Sequence, residues 1–428
     1  MILREQPTIL ANELLDFIAE SPSPFHVVEQ VKTMLVNAGF QPLCLKKQWQ
    51  LKKGGRYFTT RGGTAIVAFT IETDVASDGF RMVAAHSDSP SLRVKPNPLS
   101  AIDGKMLRIA TETYGGALLY SWLDRPLAVA GRIYTKTDNP LHPKSVLVDS
   151  KTPIGVVPSV AIHFNRNAND GLSLNKQIDM QPLIATEGGD SVNSFFKTIT
   201  DVPVADILGY DLNMYDAERG TIVGLNNEMV VAPKLDDLAM VFTATKALCA
   251  AADKPTNKML CIFDSEEVGS NTKQGACSPL LPNIIERIAE QLSLSAEDRQ
   301  RITYNSFLIS ADMAHALHPN HPELHDPTNR PVLNGGPVVK FNCNQKYMTD
   351  GSSAAVVEAL LDGLDHQTFV NRSDMAGGST LGNLLTSQID IAGADIGAPL
   401  LAMHSARETA GTCDILTSQL LFERFMGA

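Results

Sequence analysis

Cys261-Ile262-Phe263-Asp264-Ser265-Glu266-Glu267-Val268-Gly269-Ser270 is the stretch on which the reading of this chain turns. An apolar run enters it, two adjacent carboxylates close it, and Gly269 lets the backbone turn away. Side chains alternate along a strand, so adjacent glutamates at its tip point in different directions. One of them can then bind a metal ion while its neighbour stays free to move a proton. That is the division of labour of metal-assisted hydrolysis. A solvated acidic turn would look the same in isolation, so the reading needs metal-binding residue types at other strand ends.

Four further segments supply them. Arg81-Met82-Val83-Ala84-Ala85-His86 is an apolar run that stops at His86, with Asp88 two residues on. A neutral imidazole suits zinc, and a ligating His donates its other N–H to a carboxylate or carbonyl, the task expected of Asp88. An Asp capping a turn would read the same way. Leu235-Asp236-Asp237-Leu238 opens an Ala-rich apolar stretch, where either Asp could equally cap a helix. Phe307-Leu308-Ile309-Ser310-Ala311-Asp312 ends in a carboxylate, and Pro399-Leu400-Leu401-Ala402-Met403-His404 ends in an imidazole. His86, Asp236, Glu267, Asp312 and His404 thus form a set of metal ligands. With Asp236 bridging, each of two ions has three protein ligands and a position for water, as in catalytic zinc sites. Ions about 3.5–4 Å apart clamp both oxygens of a tetrahedral intermediate. Glu266 is left as general base for the water and acid for the leaving amine.

The runs His86-Ser87-Asp88-Ser89-Pro90, Leu235-Asp236-Asp237-Leu238, Asp264 to Ser270, Ser310 to Asn320 and Met403-His404-Ser405-Ala406-Arg407-Glu408 together resemble the aspartyl aminopeptidase family of dinuclear zinc exopeptidases. They fall in the family's order and span His86 to Glu408. Asp237 departs from the Asn that many relatives carry there. The resemblance implies two zinc ions per subunit, peptide substrates with an N-terminal Asp or Glu, and a homo-oligomer, a tetrahedral dodecamer. It implies an α/β fold: a zinc-exopeptidase-like three-layer αβα catalytic domain interrupted by an inserted β-rich domain used in oligomer contacts. It places His315 and His318 beside the active site, and Gly378 and Ser379 of a glycine-rich turn along the substrate. It makes Lys340 the first candidate for recognising an acidic side chain and Tyr347 a second. It has His163 reach across a subunit interface to steady the substrate carbonyl. Two rivals are a dinuclear carboxypeptidase or deacylase, which keeps the ligands and changes the pocket, and a catalytically idle scaffold. The latter would have lost Glu266 or a ligand, and this chain retains all of them.

The global numbers fit an enzyme of this kind. A chain of 428 residues has room for two domains. Lys+Arg 36 against Asp+Glu 47 gives a net charge of −11, which argues against nucleic acid as a partner. Any attraction for an acidic substrate must then be local. Six cysteines lack CxxC spacing and read as reduced, mostly buried thiols of a cytoplasmic protein. No apolar stretch reaches membrane-spanning length, and no signal-peptide core opens the chain. Helical periodicity covers Thr8 to Phe40, broken at Ser21-Pro22-Ser23-Pro24. Strand-like segments follow at Gly55–Phe58, Thr64–Thr70 and Phe80–Ala85. Leu92 to about Val231 is rich in short alternating segments, such as Leu107–Thr113, Leu127–Tyr134 and Ser145–Asp149, with a helix expected over Gln181–Phe196. Ligands on both sides of this block divide the chain into a catalytic domain, 1–91 with 233–428, and an inserted domain, 92–232. The dense run His315, His318, His321 and His325 is interrupted by Pro319 and Pro322 and lacks His-Glu-x-x-His, so His321 and His325 read as loop residues.

Overall fold

The computed structural model of the chain describes residues 2–187 and 191–428. Among them a nine-stranded sheet forms the middle layer, in the order Gln41–Pro42, Gly55–Arg61, Ala65–Ile71, Lys258–Phe263, Arg81–His86, Phe307–Ala311, Ala392–Gly397, Val338–Phe341, Gln367–Val370. The strands from Lys258–Phe263 to Ala392–Gly397 run parallel. They are covered on both faces, which is why they read as unbroken apolar runs.

Alternation divides each run between two cores. Val83, Ala85, Leu260 and Ile262 share one with the helices Ile2–Ala19, Pro24–Asn37, Leu235–Ala250 and Thr412–Gly427. Met82, Ala84, Met259, Cys261 and Phe263 share the other with Leu280–Gln291 and Ala296–Tyr304. Leu280–Gln291 buries Leu280, Leu281, Ile284, Ile285 and Ile288, the spacing of one helix face. The result is a three-layer α/β/α domain. From Arg81–His86 the sheet continues to Lys258–Phe263 on one side and, later in the chain, to Phe307–Ala311 on the other. Sites in open α/β sheets form beyond the carboxyl ends of strands at such a switch in order.

A second sheet of six antiparallel strands runs Lys144–Asp149, Leu127–Thr135, Ile207–Asp216, Ser91–Ile102, Met106–Tyr114, Leu183–Ala185, over its own core of Leu92, Ile109, Trp122, Val129 and Leu212. The strands Thr221–Val223 and Met229–Ala232 join a third sheet, where Met229–Ala232 pairs with Glu408–Gly411. The returning chain is therefore tied to the C-terminal segment before it reaches Leu235–Ala250.

Two expectations change. Gln181–Phe196 is not one helix: Gln181 bonds Thr111, Leu183–Ala185 extends the six-stranded sheet, and the helix is confined to Ser191–Lys197. Residues 188–190 lie outside the described residues. The cysteines are mostly not buried. Only Cys261, on a central strand, is fully so, whereas Cys44, Cys343 and Cys413 are exposed.

Candidate metal centre

The parallel strands end at one place. His86 is the last residue of Arg81–His86, Asp312 follows Phe307–Ala311, and the turn carrying Glu266 and Glu267 follows Lys258–Phe263. Asp236 stands at the start of Leu235–Ala250 with non-helical backbone. His404 lies on the turn beyond Pro399–Leu401. Residues that are not glycine hold left-handed backbone at these points, among them Lys234 (φ 58°), Ser265 (φ 66°), Ala402 (φ 57°) and His404 (φ 68°). Strain of this kind persists only where the surroundings fix it.

The side chains gather into two groups, each with ligand atoms within 4.8 Å of one another: His86, Asp236, Asp237 and Asp312, and Asp236, Glu267 and His404. His86 Nε2 lies 3.3 Å from Asp236 Oδ1 and 3.8 Å from Asp312 Oδ1. His404 Nε2 lies 3.2 Å from Glu267 Oε2 and 3.6 Å from Asp236 Oδ2. Asp236 thus offers one carboxylate oxygen to each side. Asp236 Oδ1, Asp237 Oδ1 and Glu267 Oε1 are buried without a hydrogen-bond partner. Buried carboxylate oxygens left unpaired are costly unless a cation meets them, and the His/carboxylate donor set is one that zinc accepts. The residues present therefore fit the metal.

Asp88 works differently from expectation. The His86 ring nitrogen Nδ1 meets the Asp88 backbone carbonyl at 3.0 Å, with the carboxylate further away at 3.5 Å. The carboxylate accepts instead from the Tyr114 hydroxyl at 2.6 Å and from the amides of Glu266 and Glu267 at 3.1 and 3.2 Å. One residue therefore orients the imidazole and fixes the turn that carries both glutamates. Burial opposes the Asp88 charge, but His86, the Tyr114 hydroxyl and the Glu267 amide outweigh it and hold the carboxyl below its ordinary range. Burial pushes Glu266 up to about 8, with Asp312, Asp236 and Asp88 adding to the effect and His86 opposing it. Burial and Asp236 raise Glu267 well above the carboxylate range. A dication would reverse that crowding of negative charge.

The substrate candidates separate. Lys340 is buried beside the cluster, and its ammonium donates to Asp312 O at 2.8 Å, Met313 O at 3.2 Å and Asp312 Oδ2 at 3.3 Å. Three acceptors use all three of its donors, so it is not a free cation but a clamp on the Asp312 carboxylate. Together with His86 it holds that carboxyl low in spite of burial. Tyr347, 4% exposed, lies with its ring 5.3 Å from the Lys340 ammonium. His315 and His318 line a cavity of about 290 Å³ with Phe369, Arg372 and Met375, and His315 feels the charges of Lys340, Asp236, Asp312 and His404. Gly378 and Ser379 are exposed, Ser379 Oγ bonding Asn383. His163 stands on an exposed turn of the six-stranded-sheet region, outside the cluster. His321 pairs with Glu323, and His325 accepts from the His318 amide.

Sequence reasoning missed three contributors. Glu408 accepts from the Asp236 amide at 3.0 Å and from the His404 amide at 2.7 Å, joining two segments of the cluster. Its spacing four residues after His404 was the available signal. Tyr114 holds Asp88, and Gly116 O meets His404 Nδ1 at 3.3 Å. A Cβ at Gly116 would lie 3.1 Å from His404 Nδ1, and one at Gly115 would lie 3.2 Å from Glu267 Cβ. The glycine pair lets this backbone lie against the centre.

Residues 17–426 match the family model described as aminopeptidase I zinc metalloprotease (M18). A Clostridium novyi (strain NT) protein described as "Probable M18 family aminopeptidase 2" is 44% identical over 424 residues, 97% of this chain and 98% of that one. The cryo-EM structure of an Ape4 and Nbr1 complex aligns at TM-score 0.94 and 33% identity, over 99% of this chain and 86% of that one. A structure described as the Saccharomyces cerevisiae mApe1 dodecamer aligns at TM-score 0.84 and 30% identity, over 97% and 95%.

Proposed function

This chain belongs to the M18 family of zinc metalloproteases, and we propose that it removes acidic residues from the N-termini of peptides, using two zinc ions per subunit and Glu266 as general base. The observation that carries the two-ion reading is Asp236, which is common to both ligand groups. His86 and Asp312 would hold one ion, Glu267 and His404 the other, with Asp236 between them. When bound, zinc supplies Lewis acidity, making water acidic enough to attack near neutral pH and polarising the scissile carbonyl. Asp88 keeps the His86 ring and the Glu266–Glu267 turn in place. Glu266 takes the proton of the attacking water and returns it to the departing amine. Lys340 and Glu408 hold Asp312, Asp236 and His404 in position. Cluster carboxylates receive the free ammonium of the peptide, which makes the reaction an exopeptidase one.

The acidic preference is supported by the family resemblance of the sequence motifs, and Lys340, paired with Asp312, is the cation nearest the cluster to test for it. We read residues 92–232 as an inserted domain for assembly, with 1–91 and 233–428 catalytic, and the assembly as a dodecamer like that of the yeast relative. Val160, Ile162 and Phe164 flank His163 and are 61%, 45% and 88% exposed, which suits a turn that docks on another subunit and brings His163 to its substrate. Free cysteines suit a cytoplasmic setting. Among the described residues no helix is long and apolar enough to cross a membrane.

The test is release of the first residue from Asp-headed and Leu-headed peptides by wild type and Glu266→Gln, with metal assayed in both. Faster release of Asp, and a variant that keeps its metal but loses turnover, is the expected result. A metal-loaded wild type that ignores free N-termini would contradict the aminopeptidase reading, and equal rates on both peptides would contradict the acidic preference.

A further inference from the structure

The six-stranded sheet reaches the metal centre through a short stretch of chain. Its strand Met106–Tyr114 ends at Tyr114, and residues 115–121 lead from there to Trp122, in the core of that sheet. Along the way the chain touches both halves of the centre. Tyr114 donates to Asp88 Oδ2 at 2.6 Å. Gly116 O stands 3.3 Å from His404 Nδ1, and the Leu118 amide donates to His404 O at 3.0 Å. The Ala406 amide donates to Ser121 Oγ at 2.8 Å.

The far end of the stretch is fastened. Trp122 and Ala406, the latter two residues after His404, are buried in one apolar core. Arg125 Nε donates to Ser121 O at 2.6 Å, and the same guanidinium donates to Asp216 Oδ2 at 3.1 Å. Arg407 Nε donates to that oxygen at 2.9 Å. The Asp216 side chain is 0% exposed, and removing one partner from a buried ion pair is strongly destabilising. Packing and charge thus lock the His404 turn to the stretch.

At the near end, the Tyr114 bond has a specific consequence. Asp88 Oδ1 accepts the Glu266 amide at 3.1 Å and Oδ2 the Glu267 amide at 3.2 Å. The bond from Tyr114 is shorter than either, and an O–H donated to a carboxylate at that range is a strong one. The hydroxyl therefore sets how the carboxylate is turned, and the carboxylate sets the two amides. Ser265, just before them, holds left-handed backbone (φ 66°), so the turn needs such a hold from outside. A phenol has one donor. Asp88 takes it, so it is not available to a substrate.

We propose that residues 114–121 are a strap by which the six-stranded sheet positions the reacting groups, with Tyr114 the positioning residue for Glu266 and Gly116 for His404. The sheet then has a part in turnover that is separate from any docking on other subunits. The proposal rests on the two-ion reading of the centre. Zinc content and peptide turnover of the wild type test that reading alone, so the two can fail separately.

Tyr114→Phe removes only the hydroxyl. With zinc and peptide saturating, kcat should fall about 10–100-fold while KM stays within about twofold. Tyr210→Phe is the control. Its hydroxyl donates at 2.7 Å to the carbonyls of Lys95 and Pro96 in the same sheet, and its loss should leave kcat at the wild-type value. Gly116→Ala places a Cβ 3.1 Å from His404 Nδ1, tight enough that the ring must shift. One of the two zinc equivalents should then pass to a chelator about 10–100-fold more readily, with the other unchanged. That measurement uses no substrate and carries the test should Tyr114→Phe fail to fold. A Tyr114→Phe enzyme that melts earlier but turns over like wild type would reduce Tyr114 to a structural bond. A raised KM at unchanged kcat would place it against the substrate instead. Either result overturns the proposal, as does a Gly116→Ala protein whose zinc equivalents leave as in wild type or weaken alike.

Discussion

The two halves of the metal centre share Asp236 but are built from different parts of the fold. The half around His86 rests on strand ends in the middle of the sheet; the His86 side chain is 1% exposed and Lys340 clamps its Asp312. The half around His404 rests on turns, with the His404 side chain 31% exposed and the backbone of Gly116 against the ring. Strand ends packed on both faces move little, whereas exposed turns open at low cost. On the two-ion reading proposed above, the first half would hold its ion tightly and the second would exchange its ion more readily.

Asp236→Asn breaks both halves at once, so its loss of peptidase activity should reach at least the roughly 10⁴-fold upper end for a lost acid–base group, with both ions released on metal analysis. Glu266→Gln touches neither half. It should cost about 10²–10⁴-fold in kcat at unchanged metal content, and a variant that also loses metal would place Glu266 among the ligands. Glu408→Gln retains one acceptor oxygen where two backbone amides are now served. It should weaken one metal equivalent by about 10–100-fold, the one at His404, as read by stepwise release to a chelator. Release of both ions in a single step would erase the distinction between the halves. Lys340→Met separates the clamp from substrate recognition. If the charge draws acidic residues, the Asp-to-Leu preference falls by about tenfold, and an equal fall on both peptides would reduce Lys340 to its hold on Asp312.

The smallest effect is one of pH on the metal-free protein. Glu266 is raised to about 8, against an unfolded value near 4.5. The folded state therefore holds a proton that the unfolded state gives up in this interval. Its contribution to stability is present in full below about pH 4.5 and is lost as pH rises through about 8. Thermal unfolding of the metal-free protein should move to lower temperature from pH 5 to pH 8, and bound zinc should flatten that slope. A metal-free Tm that rises over the same range would contradict the crowding of carboxylates described above.

How much of this was legible in the sequence followed from the same contrast. Parallel strands buried on both faces leave an unbroken apolar run, so His86, Asp312 and Glu267 announced themselves where such runs stop. Asp236 was ambiguous because a helix cap and a ligand have the same residue type in the same place. Glu408 and Lys340 were harder because they act on backbone groups, Glu408 through two amides and Lys340 through two carbonyls, and such partners have no residue-type signature. Tyr114 and Gly116 enter the centre from the second sheet, at a separation in sequence that no local pattern reports. Asp88 was singled out for the right neighbour, but the carbonyl rather than the carboxylate meets His86 more closely.

Diffraction at the zinc edge from crystals of the purified enzyme, with zinc counted in the same preparation, tests the central claim most directly. Two zinc sites per chain are expected, one against His86 and Asp312, one against Glu267 and His404, with Asp236 touching both. A single ion per chain, or a second ion that Asp236 does not touch, would contradict it.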